Sequence, residues 1–296
     1  MKELLAIVES LRATRGDPNG KSPVENFGFI SCANAVRIKH VPFYEPCLIL
    51  VLSGRKTIME GRLPIVCETG DILSVPAPAS FDLRNEPDAH TKLYRALIIP
   101  FNNDLLGRLV RTHDIAHDSN PLDIQVLKFD RDETLLASVK HYLSSVGDHK
   151  LMAHRLMEIL LILAGKNKKL LSYVLNEESW SQRVRVLLGE DLTRPWGITE
   201  VCGRLATSES TLRRNLKKEN TGFRELLYEL RLTMALMKLL QTSQPVYQIA
   251  YDCGYQSVSR FTNNFRKRFG LPPRQLRESM NESEQKLNLS EHSLNA

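Results

Sequence analysis

The chain has 296 residues, of which 42% are hydrophobic and 25% charged, and a formal net charge of +6. That length admits two domains with separate cores, and the composition is that of a globular protein rather than a fibrous or disordered one. No run of 18 or more apolar residues occurs, so no membrane-spanning helix is expected, and the start MKELLAIVESLRATRGD, which carries Glu3 and Glu9 and lacks a long apolar core, is not expected to be a signal peptide.

Leu4, Leu5, Val8 and Leu11 have the spacing of a short amphipathic helix. From residue 24 to 100 the pattern changes to short β-rich runs, Cys47–Leu52, Lys56–Met59, Leu63–Cys67, Ile72–Val75 and Tyr94–Ile99. Turn signals separate them: Ser53-Gly54, Glu60-Gly61, Thr69-Gly70-Asp71, two prolines at Pro76 and Pro78, and Pro87. Strands at this rhythm predict a small antiparallel sandwich or barrel. On the alternation, Phe43, Leu48, Leu50, Leu52, Phe81 and Leu83 point inward, with Tyr44, Arg55 and Arg95 as polar contacts. Such residues line a pocket for a small effector or simply fill the interior.

Residues 131 to 166 switch to helical period. Leu135, Leu136, Val139, Tyr142, Leu143 and Val146 form one apolar face; after Gly147-Asp148, Leu151, Met152, Leu156, Ile159, Leu160 and Leu163 form another. The second helix is apolar over much of its girth and needs burial on more than one side. A polar, basic stretch then opens a connecting segment at 167–179. The five cysteines, Cys32, Cys47, Cys67, Cys202 and Cys253, are odd in number and lack CxxC spacing, as reduced core thiols do.

Residues 180 to 280 carry the most specific pattern. Two short helix-turn-helix readings stand in tandem, Ile198 to Glu219 and Val246 to Gly270, joined by an amphipathic segment from Phe223 to Gln241. Each begins with a short helix bearing paired apolar residues (Val201, Cys202 and Leu205; Ile249, Ala250 and Cys253). Each turns, at Thr207-Ser208 or Gly254-Tyr255, and ends in a longer basic helix. In the first long helix Leu212 and Leu216 face inward and leave Ser210, Arg213, Arg214 and Lys217 outward. In the second, Phe261, Phe265 and Phe269 leave Val258, Arg260, Asn263, Arg266, Lys267 and Arg268 available. A single such helix could be an ordinary charged surface helix; two in tandem point to DNA. The stretch has 17 Lys and Arg against 9 Asp and Glu, a net of +8, so the remainder of the chain sums to −2. Basicity confined to one part is the footprint of a phosphate-binding domain. The tail at 281–296, rich in Ser, Asn and Glu, is expected to be disordered.

This stretch resembles the DNA-binding domain of the AraC/XylS family of bacterial transcription regulators. The likeness is densest over IAYDCGYQSVSRFTNNFRKRFGLPPRQLR and extends to the linker-helix pattern Arg231, Leu232, Ala235, Leu239 and Leu240. One position departs: where many members carry Arg in the middle of the second recognition helix, this chain has Asn263, which suits an adenine edge or a phosphate. The run PCLILVLSGRKTIMEGRLPIVCETGDILSVPA resembles the cupin-like N-terminal sensor domain of the same family, most of all at Gly70-Asp71-Ile72-Leu73.

The resemblance implies an α+β chain of two domains. A cupin-like antiparallel β-barrel with following helices would occupy 1–166, and an all-α tandem helix-turn-helix domain 180–280. It implies a cytoplasmic transcription regulator, an activator, with double-stranded DNA, RNA polymerase, a second copy of the chain and a small effector as partners, and no cofactor. Ser210, Arg213, Arg214, Val258, Arg260 and Asn263 are placed for bases, and Lys217, Lys218, Arg266, Lys267 and Arg268 for phosphates. The dimer contact is expected on Leu156, Ile159, Leu160 and Leu163. A cupin enzyme with a DNA-targeting tail is the alternative. It would need clustered metal ligands, and the region offers only His40 and His90, with His113 and His117 in what reads as a loop. A helix-turn-helix serving protein assembly is a further alternative, which the basic recognition faces oppose.

Overall fold

In the computed structural model, residues 1–13, 27–61, 63–113, 115, 125–175 and 179–280 are described. The chain divides into two compact units, Met1–Leu175 together with Glu278–Ala296, and Asn176–Arg277. The expected disordered tail and His117 lie outside the described residues.

The strands of the first unit form two antiparallel sheets. One has the order β1 (Gly28–Cys32), β8 (Tyr94–Pro100), β3 (Cys47–Ser53), β6 (Ile72–Val75), β9 (Leu127–Phe129); the other, β2 (Val36–Phe43), β7 (Ala79–Glu86), β4 (Arg55–Glu60), β5 (Leu63–Cys67). The β3 run CLILVLS is buried at every position because both of its faces are covered. Leu48, Leu50 and Leu52 join Leu97, Ile99 and Ile72 in a core shared with helices. The alternate residues Cys47, Ile49 and Val51, with Tyr94 and Ala96, face the second sheet, whose inward residues include Ile38, Lys56, Ile58, Leu83 and Asn85. At the β3–β4 turn, Gly54 has φ +81°, and a Cβ there would sit 2.3 Å from the Glu86 carbonyl.

The helical layer consists of α1 (Lys2–Ala13), α2 (Asn103–His113), α3 (Glu133–Ser144) and α4 (His149–Lys166). Asp132 and Asp148 start the last two by accepting the Leu135 and Leu151 amides at 2.9 and 3.0 Å. The sequence reading missed α2. His113 ends that helix and is exposed, rather than standing in a loop.

Two expectations change here. Leu156, Ile159, Leu160 and Leu163, expected at a dimer contact, are each 8% exposed or less and belong to the core beneath β3. The girth of α4 is apolar because its own sheet and the neighbouring helices cover it. Residues 168–175, expected within a connecting segment, form a 3-10 helix (Lys168–Leu175) of the first unit. Leu170 and Leu171 are fully buried, and the Tyr173 hydroxyl donates to the Ser74 and Gln125 carbonyls at 3.1 and 2.7 Å.

The second unit contains α5 (Trp180–Gly189), α6 (Ile198–Arg204), α7 (Glu209–Lys218), α8 (Phe223–Gln241), α9 (Val246–Asp252) and α10 (Val258–Phe269), and it ends within a helical run that starts at residue 273. Its centre is α8, on which Leu226, Leu230, Leu232, Ala235, Leu236 and Leu239 are buried. No described helix is long and apolar enough to cross a membrane.

Removing the buried hydroxyl in Tyr173→Phe leaves the two carbonyls short of a donor. The first unit should lose about 1–3 kcal/mol of stability, measured by urea unfolding followed by circular dichroism.

Candidate nucleic-acid interface

The two helix-turn-helix units are built by the same backbone device. After α6 the Thr207 amide bonds to the Cys202 carbonyl at 3.0 Å and the Ala206 amide to Gly203 at 3.3 Å. After α9 the Tyr255 amide bonds to Ala250 at 3.0 Å and the Gly254 amide to Tyr251 at 2.8 Å. Both are Schellman endings, which need a residue of positive φ just past the helix. That residue is Ala206 (φ 50°) in the first unit and Gly254 (φ 77°) in the second. Serines then start the recognition helices: Ser208 Oγ accepts the Thr211 amide at 3.1 Å and Ser257 Oγ the Arg260 amide at 3.4 Å. The second turn is one residue longer.

Each recognition helix buries one side. On α7 this is Leu212 and Leu216. On α10 it is Phe261, Phe265 and Phe269, all fully buried, with successive ring centres 5.6 and 4.7 Å apart and Tyr255 5.2 Å from Phe261. Cys202 and Cys253 sit in the same packing; burial raises both thiols, Cys253 to about 12, so they remain protonated.

The opposite sides carry the charge. Arg214, Lys217 and Lys218 on α7, and Arg260, Asn263, Arg266 and Lys267 on α10, are exposed. None of the six cations among them makes an ion pair with a described residue. Arg213 is exposed too, but Glu209 one turn earlier holds its guanidinium at 2.6 and 2.8 Å. Ser210 Oγ lies 2.9 Å from Ser208 Oγ, and Val258 is half-buried beside the Ser257 cap. Arg268 departs from the expectation of a phosphate contact. Its guanidinium is turned inward, 3.5 Å from Glu229 and over the Phe269 ring, with the side chain 19% exposed.

Other groups fix the two units to the frame. Arg231 of α8 donates to the Leu192 carbonyl at 3.0 Å and the Arg194 carbonyl at 3.2 Å. Glu219 accepts the Trp180 and Ser181 amides at 2.8 and 2.9 Å and so closes the start of α5. The sequence reading noted Arg231 as a pattern element but not this role, and it passed over Glu219. Only the position of Glu219 at the end of a basic helix set it apart, and that does not name its partner.

In the first unit, the residues expected around an effector are not brought together. Phe43 and Phe81 are on the inward side, half-buried, with ring centres 6.0 Å apart. Leu48 and Leu50 face the helices instead, because the fully buried β3 offered no polar residue to set its phase. Arg95, on that same outer side, pairs with Glu9 at 3.0 Å; Arg55 is exposed and pairs with Glu68 at 2.7 Å; Tyr44 is half-buried just past β2. A cleft of about 280 Å³ opens elsewhere, lined by Glu45, Phe101, Arg108, Tyr142, His149 and Met152. Among the described residues no group of three His, Cys, Asp or Glu is placed to hold a metal ion.

Comparison with known proteins agrees with both halves. Residues 201–279 match the family model described as a helix-turn-helix domain, and residues 46–173 the model of the ExsA N-terminal regulatory domain. The transcriptional regulator YdeO of Shigella flexneri is 30% identical over 181 residues, covering 60% of this chain and 71% of YdeO. The dual transcriptional regulator Rns of Escherichia coli is 28% identical over 183 residues, covering 59% of this chain and 68% of Rns. The crystal structure of ToxT from Vibrio cholerae with an unsaturated fatty acid bound shares the fold, with a TM-score of 0.60 and 14% identity over 87% of this chain and 98% of that one.

The paired turns allow a test by exchange. Ala206→Gly relieves an L-residue at φ 50° and should stabilise the second unit by up to about 1 kcal/mol. Gly254→Ala would place a Cβ 2.2 Å from the Leu192 carbonyl and 2.8 Å from the Arg231 guanidinium, and should destabilise it by more than about 1 kcal/mol. Thermal unfolding of the two variants beside the parent chain decides it.

Proposed function

The chain belongs to the AraC/XylS family of DNA-binding transcription regulators, and from that premise we propose that it is an activator whose α7 and α10 both enter the major groove from one monomer. The observation that carries this reading is the pair of capped helices, each with an apolar side buried and an opposite side bearing three exposed cations that make no ion pair with a described residue. A helix fits the major groove, where base edges present distinct donor and acceptor patterns. Two helices held by one frame would read segments about one helical turn, ~10 bp, apart.

In this reading Arg214, Arg260 and Asn263 contact bases, with Ser210 and Val258 at the helix starts. Lys217, Lys218, Arg266 and Lys267 lie against phosphates. Arg213 reaches a base only by leaving Glu209, so it contributes discrimination at the expense of a surface ion pair, which is itself worth about 1 kcal/mol or less. Arg268 is left out of the interface and serves to hold α10 on α8. RNA polymerase and a second copy of the chain complete the partners, and the cytoplasm of a bacterium, where the DNA is, is the place of action. The N-terminal unit is assigned the regulatory role through a small effector; the likeness to ToxT, which was crystallised with a fatty acid, supports a ligand-taking sandwich.

Arg214→Ala should cost roughly 1–3 kcal/mol on the preferred site and relax the preference at one base pair. Lys267→Ala should weaken all sequences alike and reduce the slope of log K against log salt by about 1. Titrations of both variants at several salt concentrations, on the preferred site and on single-base variants of it, check this. Equal losses on all sites for Arg214→Ala would contradict its assignment.

A further inference from the structure

The two helix-turn-helix units come together at one backbone atom, the carbonyl oxygen of Leu192 in the segment between α5 and α6. The Arg231 guanidinium of α8 reaches it, Nε donating at 3.0 Å while Nη2 donates to the Arg194 carbonyl at 3.2 Å. The turn of the second unit reaches it too. A Cβ on Gly254 would lie 2.2 Å from the same oxygen and 2.8 Å from Nε and Cζ of Arg231. The matching place after α6 is filled by Ala206 at φ 50°, so a positive φ there has not excluded an alanine. At Gly254 the close approach excludes it.

The segment that Arg231 grips is itself well held. Trp196 is buried, and its Nε1 donates to the Asp191 carbonyl at 2.7 Å. The Arg194 and Arg204 guanidiniums lie 4.8 and 5.8 Å from the centre of its ring. The Asp191 carboxylate accepts the Thr193 amide and hydroxyl at 2.9 and 2.6 Å. Arg204 pairs with Glu190 at 2.7 Å and ties the end of α6 to the end of α5, as Glu219 ties the end of α7 to its start. The second recognition helix is fastened separately. Lys238 of α8 holds Asp252 of α9, and Arg268 of α10 holds Glu229 of α8. Each recognition helix thus belongs to a cluster of its own, α7 with α5 and α6, α10 with α8 and α9. Arg231 joins the two clusters.

We propose that Arg231 is a positioning residue that sets how many base pairs the protein requires between its two DNA elements. It acts through the frame rather than by touching a base, and the proposal rests on the reading that α7 and α10 both enter the major groove. One added base pair moves one element by about 3.4 Å along the DNA axis and turns it by about 35°. To follow, α10 would have to shift against α7, and the crossing at Leu192 has no space for even a methyl group. The side chain suits the task. A planar fork with donors in fixed directions sets distance and angle together, whereas an ammonium on a flexible stem reaches one carbonyl and fixes neither. Spacer length is therefore read by a residue outside both recognition helices.

The test uses the purified full chain and its Arg231→Lys and Arg231→Gln variants, with circular dichroism to establish that each is folded at the assay temperature. Arg231→Lys keeps the charge and one donor and serves where Arg231→Gln does not fold. Affinities are measured on duplexes carrying both elements of the site selected from random DNA, at the parent spacing and with one base pair added or removed. A duplex with one element alone is measured beside them. The parent should lose roughly ten- to a hundredfold on either altered spacing. The variants should bind the three spacings nearly alike and bind the single element as the parent does. A variant that weakens every duplex equally and keeps the parent's spacing preference would show a merely structural role and overturn the proposal. So would a parent chain indifferent to spacing. A selected site with only one element would contradict the reading of two inserted helices itself, and the proposal with it.

Discussion

The DNA-facing surface depends on the burial of one helix. α8 hides six apolar residues along its length, and both helix-turn-helix units are fastened to it. Arg231 reaches from it to the Leu192 and Arg194 carbonyls ahead of α6. Lys238 pairs with Asp252 of α9 at 2.8 Å, and Arg268 of α10 turns back to Glu229. Where Arg231 crosses, the backbone of Gly254 comes so close that no side chain fits. Burial of this kind is collective, about 25 cal/mol per Å² of apolar surface removed from water, and it is what allows short helices such as α6 and α9 to exist at all. Polar links then set orientation. The separation of α7 and α10 is a property of α8, not of the recognition helices themselves.

On that frame the two recognition helices solve one problem with different chemistry. α10 anchors through three phenylalanines whose rings meet at tilted and edge-on angles, α7 through two leucines. The larger aromatic contact holds α10 firmly, and Arg260, Arg266 and Lys267 make no ion pair with a described residue, while Arg268 turns back to Glu229. α7 has less to hold it and spends one of its arginines on Glu209 in its own first turn. Release of that pair is the one rearrangement that base reading by Arg213 requires. In the proposed reading Asn263 follows the same logic: its cationic neighbours would meet phosphates, and an amide in the middle of the helix would be left to discriminate between bases.

Much of this was legible in the sequence because each recognition helix must show two faces, and a period of 3.6 separates Leu212 and Leu216, or Phe261, Phe265 and Phe269, from the cations between them. Strand rhythm gave the two-sheet unit in the same way. The reading failed where both faces of an element are covered. β3 and α4 are apolar throughout, so their patterns do not say which residues meet the facing sheet, which meet helices and which would meet a partner. Leu48 and Leu50 were accordingly assigned to the wrong side, and Leu156 to Leu163 to an interface rather than to their own core. Contacts between residues far apart in the chain, such as Glu219 with the start of α5 or Arg231 with the Leu192 carbonyl, leave no local signal either.

The central claim is that both helices of one monomer read bases. Selection of binding sites from random DNA with the purified chain, at physiological salt, tests it most directly. The account predicts an asymmetric motif of two elements about one turn, ~10 bp, apart, the second losing its base preference in Asn263→Ala. A motif confined to a single element, unchanged by Asn263→Ala, would contradict it and leave α10 as a clamp on phosphates.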